Sequence, residues 1–371
     1  MDKHLHIVCL DVPYPPDYGG VFDLFYKIKT LHELGVKIHL HCFEYGRGEQ
    51  QELNKYCTKV DYYKRVKGLL QLPVSLPYIV SSRANNTLLK NLLKDDYPIL
   101  LEGIHCTYFL YTNQLKNRKV FVRLHNVEFE YYRQLAKSEN AFLKKLYFLN
   151  ESRLLKKYEK KIASNQFIAV AEKDGETYKT EFGVDIKYLP VFLPFSSIQS
   201  KEGIGKYCLY HGNLGVNENE KAAIWLAENV FSKLEIPFII VGKNPTENLK
   251  RYVHQNKNIK IIADPDEGQM QELIRNAHIN ILPSFNSTGV KIKLLNALFN
   301  GRHCIVNKEA VEGTGLHEAC HIAATPKDYI TMIENILSSS FSLQEIDKRK
   351  QLLTKQFDNN TNALQLMQWI Y

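Results

Sequence analysis

Pro190-Val191-Phe192-Leu193-Pro194, then Ser196, Ser197, Ser200, Gly203 and Gly205, then Tyr207-Cys208-Leu209-Tyr210-His211-Gly212: residues 190–212 decide how this chain divides. Each proline removes a backbone donor, and the small polar residues after them carry no apolar period, so the stretch reads as a linker. The apolar run that follows ends in a glycine turn, as the opening strand of a new sheet does. We therefore read residues 1–190 as one domain, 191–205 as a linker, 206–355 as a second domain and 356–371 as a terminal helix.

On both sides of the break, strand-like segments alternate with helical ones. Before it, strands are expected near 4–10, 36–43, 97–102, 119–124 and 165–171, with amphipathic helices near 21–34 and 85–94. After it, strands are expected near 206–211, 237–241, 258–263, 278–282 and 303–306, with helices near 218–232, 266–276 and 289–299. Such alternation predicts an α/β fold of two doubly wound, Rossmann-like domains, each a parallel sheet covered by helices. Ligands in these folds bind beyond the carboxyl ends of the strands, so a cleft between two facing domains is the expected site.

Bulk properties exclude several classes. The 371 residues are 44% hydrophobic and 24% charged, as in globular proteins. No apolar run reaches the ~20 residues that span a bilayer. Met1 to His6 leads straight into a strand with no signal-peptide pattern, so a cytoplasmic protein is expected. The seven cysteines are odd in number, lack C-x-x-C spacing and lie partly in apolar strands, which predicts reduced core thiols. The net charge of +8 is uneven: residues 1–190 hold 29 Lys and Arg against 22 Asp and Glu. That excess suits an anionic partner such as phosphate or a membrane surface, or else an incidentally basic surface. The helical run 144–161 carries Lys144, Lys145, Arg153, Lys156, Lys157, Lys160 and Lys161, and reads better as a solvated helix than as a membrane-surface one. No standard nucleic-acid motif or Arg/aromatic platform is present, so no nucleic-acid partner is expected. His4, His6, His39 and His41 alternate with apolar residues in two strands. Without evident carboxylate partners they read as strand histidines rather than metal ligands.

Four segments can carry chemistry. Asp17-Tyr18-Gly19-Gly20 precedes the first helix, where bare backbone N–H groups and the helix dipole suit an anion; a tight turn needing positive φ is the plainer alternative. Arg123-Leu124-His125-Asn126-Val127-Glu128 ends a strand, where His125 either meets a ligand and its protons or caps the next helix. Tyr210-His211-Gly212-Asn213-Leu214-Gly215 repeats the strand–glycine-turn–helix geometry in the second domain. Thr288-Gly289-Val290-Lys291-Ile292-Lys293 opens a helix ending near Gly301. Lysines at the positive end of a helix make sense if an anion sits above them.

These segments, in this order, resemble the retaining GT-B glycosyltransferases of family 4 and their bacterial relatives, over roughly residues 4–340. The resemblance implies transfer of a hexose-type sugar from a nucleotide-sugar to a glycan or lipid-linked acceptor, in surface polysaccharide synthesis at the inner face of the membrane. It places the acceptor in the N-terminal domain and the nucleotide in the C-terminal one, and expects the helix within 356–371 to cross back to the first domain. No cofactor or metal is implied, since backbone amides and basic side chains stabilise the leaving diphosphate. It assigns His125 and Lys293 as catalytic. Gly19, Gly20, Gly212, Asn213, Thr288, Gly289, Lys291 and Asn296 are assigned to the donor.

There are two departures: the usual Arg/Lys pair after the third segment is not clear, with only Lys221 near, and the acids of the fourth segment are replaced. The family usually carries two glutamates seven residues apart in the fourth segment. Here Asn296 replaces the second, and no acidic residue occupies 286–288 in place of the first. Asn296 can still hydrogen-bond a ribose, as a neutral donor and acceptor. A degenerate, non-catalytic binding protein and a nucleotide-sugar epimerase of the same fold are the alternatives.

Overall fold

A computed structural model describes residues 2–17, 19–66, 75–139, 141–254, 256–286 and 288–371. Its strands are β1 (His4–Cys9), β2 (Lys37–Glu44), β3 (Lys59–Lys64), β4 (Ile99–Glu102), β5 (Val120–Leu124), β6 (Phe167–Ala169), β7 (Lys187–Tyr188), β8 (Cys208–His211), β9 (Phe238–Gly242), β10 (Ile259–Ala263), β11 (Ile279–Ile281), β12 (His303–Val306) and β13 (His321–Ile322). The helices are α1 (Gly19–Glu33), α2 (Tyr78–Ser81), α3 (Asn86–Leu92), α4 (Tyr108–Tyr111), α5 (Glu128–Ser138), α6 (Phe142–Ile162), α7 (Glu172–Phe182), α8 (Asn217–Asn229), α9 (Glu247–His254), α10 (Glu267–Asn276), α11 (Ile292–Asn300), α12 (Lys308–Val311), α13 (Pro326–Leu337), α14 (Leu343–Gln356) and α15 (Asn359–Ile370).

The chain forms two compact units. One comprises Met1–Pro194, Thr288–Val290 and Phe357–Tyr371; the other comprises Phe195–Ser287 and Lys291–Gln356. The first holds a seven-stranded sheet in the order β3-β2-β1-β4-β5-β6-β7, and the second a six-stranded sheet in the order β10-β9-β8-β11-β12-β13. Neighbouring strands are parallel throughout both sheets. In each, the winding direction reverses once, between β1 and β4 and between β8 and β11. That switch point is where a doubly wound sheet opens a crevice at its strand ends.

Burial on both faces explains the sequence of the central strands. On one face of the first sheet, Leu5, Ile7, Leu40 and Leu100 pack beneath α1 and beneath Ala363, Leu366 and Ile370 of α15. On the other, Val8, Leu101, Val122 and Leu124 pack with Leu88 of α3, Leu155 and Tyr158 of α6 and Tyr178 of α7. Strands covered on both sides need near-continuous apolar runs, which is what the sequence supplies. Phe192, expected in the linker, lies in the first unit's core, and Leu193 N and O bond to the Asn359 side chain at 3.0 and 2.8 Å. These bonds tie the start of α15 to the end of that unit's main segment.

Helix starts follow their local chemistry. Asp266 accepts from Gln269 N at 2.8 Å at the head of α10, and Asp358 from Thr361 N at 2.7 Å at the head of α15. Thr325 and Asp328 form a reciprocal capping box on α13, with Pro326 at its first turn. The seven cysteines are unpaired and all but Cys320 are buried.

The strand histidines stack as a ladder. His4 Nδ1 lies 3.0 Å from His39 Nε2, and His6 Nδ1 lies 2.8 Å from His41 Nε2. The expected absence of carboxylates does not hold: His6 Nε2 bonds Asp95 at 2.9 Å, and Asp61 lies 3.8 Å from His41. Both acids come from outside the two histidine strands, so strand patterning could not reveal them. Burial holds His6, His39 and His41 below the ordinary imidazole value, His41 at about 2. Among the described residues, no helix is long and apolar enough to cross a membrane.

Candidate functional site

In the first unit, functional side chains gather at the carboxyl ends of β4 and β5. Glu102 and Arg123 are register partners there. The Arg123 guanidinium grips Asp23 of α1 with two bonds of 2.8 Å, and also donates to the carbonyls of Leu189 and Pro190. Lys27, one turn after Asp23, bridges Asp23 at 3.1 Å and Glu102 at 2.7 Å. All four groups are buried. Two cations against two anions make a neutral cluster, the form in which buried charge is tolerable. Arg123 and Lys27 hold the Asp23 carboxyl well below the usual range despite the opposing effect of burial. Lys27 and His125 do the same for Glu102.

His125 sits on this cluster. Its Nε2 lies 3.0 Å from Glu102 Oε2, and its Nδ1 lies 3.9 Å from Asp23 Oδ2. The ring is thus oriented by two carboxylates that are themselves fixed, which is how a ligand-contacting histidine is preorganised. Asp23, Glu102 and His125 bring three donor atoms within metal-ligand reach of one another. Lys27 and Arg123 already neutralise both carboxylates, so the group fits a proton-handling cluster better than a cation site. Next along the chain, Glu128 is buried, and burial pushes its carboxyl up to about 8. Gly289 has φ of +62°; a Cβ there would meet Asn126 Oδ1 at 2.4 Å and His125 O at 2.9 Å. Only glycine fits that approach.

Gly19 and Gly20 form the first turn of α1 rather than a loop before it. As helical residues, they contribute N–H groups of the kind a helix start leaves without intrahelical partners. Tyr18, quoted in the first segment, and Ser287, which directly precedes the fourth, lie outside the described residues.

In the second unit the site forms beyond β8 and at the head of α11. His211 ends β8; burial holds it at about 3, and its Nε2 has no hydrogen-bond partner among the described residues. Gly212 turns the chain. Asn213 then closes the loop: its Oδ1 accepts from Gly215 N at 3.1 Å, and its carbonyl accepts from Asn219 Nδ2 at 2.9 Å. A Cβ on Gly242 would fall 1.7 Å from Gly212 O, so β9 must carry glycine where the loop crosses it.

Lys293 lies in the first turn of α11 and reaches back to β8. Its Nζ donates to Asn219 Oδ1 at 2.9 Å and Tyr210 Oη at 3.2 Å, and lies 4.9 Å from the Tyr210 ring centre. Burial and the neighbouring Lys291 lower it to about 7, against a smaller opposing effect of Glu218. Lys291 is the residue before α11, which begins at Ile292 rather than near 289. Asn296 is half-buried, and its Oδ1 accepts from Asn300 Nδ2 at 2.8 Å. Thr288 is buried. The structure thus brings Gly212, Asn213 and Lys293 together around Asn219. It places Thr288 and Gly289 with the first unit.

Sequence reading missed Asp23, Lys27, Glu102 and Gly242, and quoted Arg123 without a role. Their signals were present: an Asp–Lys pair at i, i+4 beside the apolar stripe of α1, and single charges closing two otherwise apolar strands. A separate group, His303, His321 and Glu345, gathers at the amino ends of β12 and β13, away from the strand ends that carry the site.

The model of the family described as Glycosyl transferases group 1 matches residues 205–339. The chain is 28% identical over 355 residues to an uncharacterized 44.6 kDa protein in the cps region of Klebsiella pneumoniae, covering 90% of each. Sucrose-phosphate synthase from Thermosynechococcus elongatus superposes with a TM-score of 0.70 at 12% identity, over 99% of this chain and 98% of that one. An E. coli structure described as trehalose-6-phosphate bound with UDP-2-fluoro glucose gives 0.62 at 10% identity, over 99% of both chains. The chain therefore has the GT-B glycosyltransferase fold, and its second half carries the sequence pattern of the glycosyl transferases of group 1.

Proposed function

We propose that this protein transfers a hexose-type sugar from a nucleotide-sugar donor to a glycan or lipid-linked acceptor, with retention and without a metal, in assembly of a surface polysaccharide. The observation that carries the reading is Lys293. A part-buried lysine at the positive end of a helix, with Lys291 beside it, costs free energy unless an anion neutralises it. A departing nucleoside diphosphate is such an anion, and stabilising its charge accelerates the transfer. His211, Gly212 and the helix start at Asn217 lie beside it, and N–H groups of this kind suit phosphate oxygens. In this reading Gly19, Gly20, Gly212, Asn213, Thr288, Gly289, Lys291 and Asn296 serve the donor. His125, held by Glu102, meets the donor sugar beside the reacting carbon. The cps-region relative supports the polysaccharide setting.

The test begins with melting temperatures of the protein against UDP-, GDP-, ADP- and CMP-sugars, because a ligand that binds only the folded state must raise them. The stabilising donor is then incubated with lipid-linked and soluble glycan acceptors, and the anomeric configuration of the product is read by NMR. Stabilisation by no nucleotide sugar overturns the proposal.

A second reading is favoured by one observation: Asn296 stands where the family carries glutamate, and its Oδ1 is already taken by Asn300. A chain that binds nucleotide-sugar yet neither transfers nor hydrolyses it would be a binding protein built on a transferase fold.

A further inference from the structure

The start of α6, packed beside α5, presents a surface that the proposed transferase chemistry does not use. Residues 141–146, the start of α6, are all exposed. They include the two most exposed large apolar residues of the described chain, Phe142 at 71% and Leu143 at 80%, with Leu146 at 47% one turn on. From Glu151 onward α6 behaves as an ordinary amphipathic helix, burying Leu155, Tyr158 and Ile162 in the first unit's core. Its first turns therefore extend beyond the part of the helix that packs. Scattered apolar residues on a surface need no explanation; three within five residues at a helix end do.

The charges around them identify what covers them. Lys137, Lys144 and Lys145 stand at this end, against Glu139, which pairs with Lys144 at 2.8 Å. Farther along the helix Arg153, Lys157, Lys160 and Lys161 are also exposed. Two adjacent protruding apolar side chains flanked by lysines match a bilayer interface: the apolar groups enter the acyl boundary, and the ammonium groups stay at the level of anionic headgroups. We propose that the α5–α6 tip, through Phe142, Leu143 and Leu146 with Lys144 and Lys145, docks the protein reversibly on an anionic lipid surface. The sequence offered the whole run 144–161, which read better as a solvated helix than as a membrane-surface one. The densest basic run, 153–161, has its apolar residues turned into the core, whereas the exposed ones precede it.

The use of such a contact rests on the proposed lipid-linked acceptor; the contact itself does not. The full chain is sedimented with vesicles of phosphatidylcholine alone and of phosphatidylcholine with about one-third phosphatidylglycerol, at low and high salt. The wild type is expected to bind the anionic vesicles, to bind the neutral ones far less, and to be released by salt. Phe142→Ser/Leu143→Ser, whose side chains are mostly exposed and whose melting temperature should move little, is expected to weaken binding by about tenfold or more. Lys144→Gln/Lys145→Gln is expected to abolish the preference for anionic vesicles. Undiminished binding by the serine variant, or no vesicle binding by the wild type, overturns the proposal. So does concentration-dependent self-association that the serine variant abolishes, which would make this tip a contact between two copies. The serine variant should still be stabilised by the nucleotide sugar. Vesicle binding without nucleotide-sugar binding would therefore sink the proposed function and spare the docking surface, and the reverse result would do the opposite.

Discussion

Lys293 offers the sharpest test of the site, because its charge is balanced at neutral pH. Burial and Lys291 bring it to about 7, whereas an unperturbed lysine sits near 10.4. A nucleoside diphosphate interacts favourably with the ammonium form and offers little to the neutral amine. Binding above pH 7 must therefore take up a proton, and the affinity must fall by up to tenfold per pH unit, or about 1.4 kcal/mol. Between pH 7.5 and 9 the phosphate oxygens remain ionised, their last pKa being about 6. Over that interval the charged fraction of a group titrating at about 7 drops by roughly 20- to 30-fold, so about 2 kcal/mol of binding free energy is lost. The assay is titration calorimetry with the free nucleoside diphosphate that stabilises the protein, in buffers of differing ionisation enthalpy at pH 8.5, which counts the protons taken up. The wild type should take up nearly one. Lys293→Arg keeps its charge across this range and should give a flat profile; Lys293→Met should bind weakly with no proton uptake. A flat wild-type profile, or the same slope in the methionine variant, would refute the reasoning.

Three further outcomes are expected. Asp23→Ala leaves the buried Arg123 and Lys27 without their shared carboxylate; about 3–5 kcal/mol should be lost in denaturant titration, and part should return when Arg123→Met is added. Gly242→Ala drives a methyl into the Gly212 carbonyl and should both lower the melting temperature and displace the loop enough to weaken nucleotide binding; normal values for both would show that the β9 crossing is not rigid. Acid should destabilise the protein early. His41, His211 and His303 titrate at about 2, 3 and 4 in the folded state against about 6.5 unfolded, so the unfolded chain binds protons first. Their contribution is complete above pH 6.5 and is lost as the pH falls below it. Glu128 and Glu159, raised to about 8, act with the opposite sign: their contribution is complete below about 4.5 and fades towards pH 8. Urea midpoints should therefore fall from pH 6.5 to 5, and Glu128→Gln should gain on the wild type steadily from pH 5 to 8.

What could be read from the sequence, and what could not, follows from where each signal resides. The ten expected strands depend on runs such as His4–Cys9 and Phe238–Gly242, whose burial on two faces forces apolar residues in succession. The strands not anticipated are edge or near-edge ones. Lys59-Val60-Asp61-Tyr62-Tyr63-Lys64 has only one neighbour in the sheet and alternates loosely, while Lys187-Tyr188 and His321-Ile322 are too short to carry a period. The glycine turns and Lys293 were legible because they violate local rules, a bare helix start in one case and a cation at a positive dipole in the other. Asp23, Lys27 and Glu102 violate a rule too, charge within apolar stripes. Their meaning is pairwise, however: Asp23 and Arg123 are 100 positions apart, and nothing local says that one neutralises the other.

The two switch points use charge in opposite ways, and within the proposed function this difference sorts their roles. Around His125 the charges close on themselves: Asp23, Glu102, Lys27 and Arg123 sum to zero, and together they fix the ring. A neutral cluster exerts little pull on an anion, so it suits positioning and proton control rather than capture. Around Lys293 the described residues leave the balance open. Its hydrogen bonds go to the neutral groups of Asn219 and Tyr210, and Glu218, the nearest compensating acid, accepts instead from Asn286 at 3.1 Å. Partial burial makes a lysine charge without an ion-pair partner among the described residues costly, a cost that a bound anion lowers. Under the proposed function a phosphate group supplies the countercharge, and supplies it most fully when the leaving diphosphate carries its greatest charge, which is the condition for accelerating transfer rather than merely holding the donor.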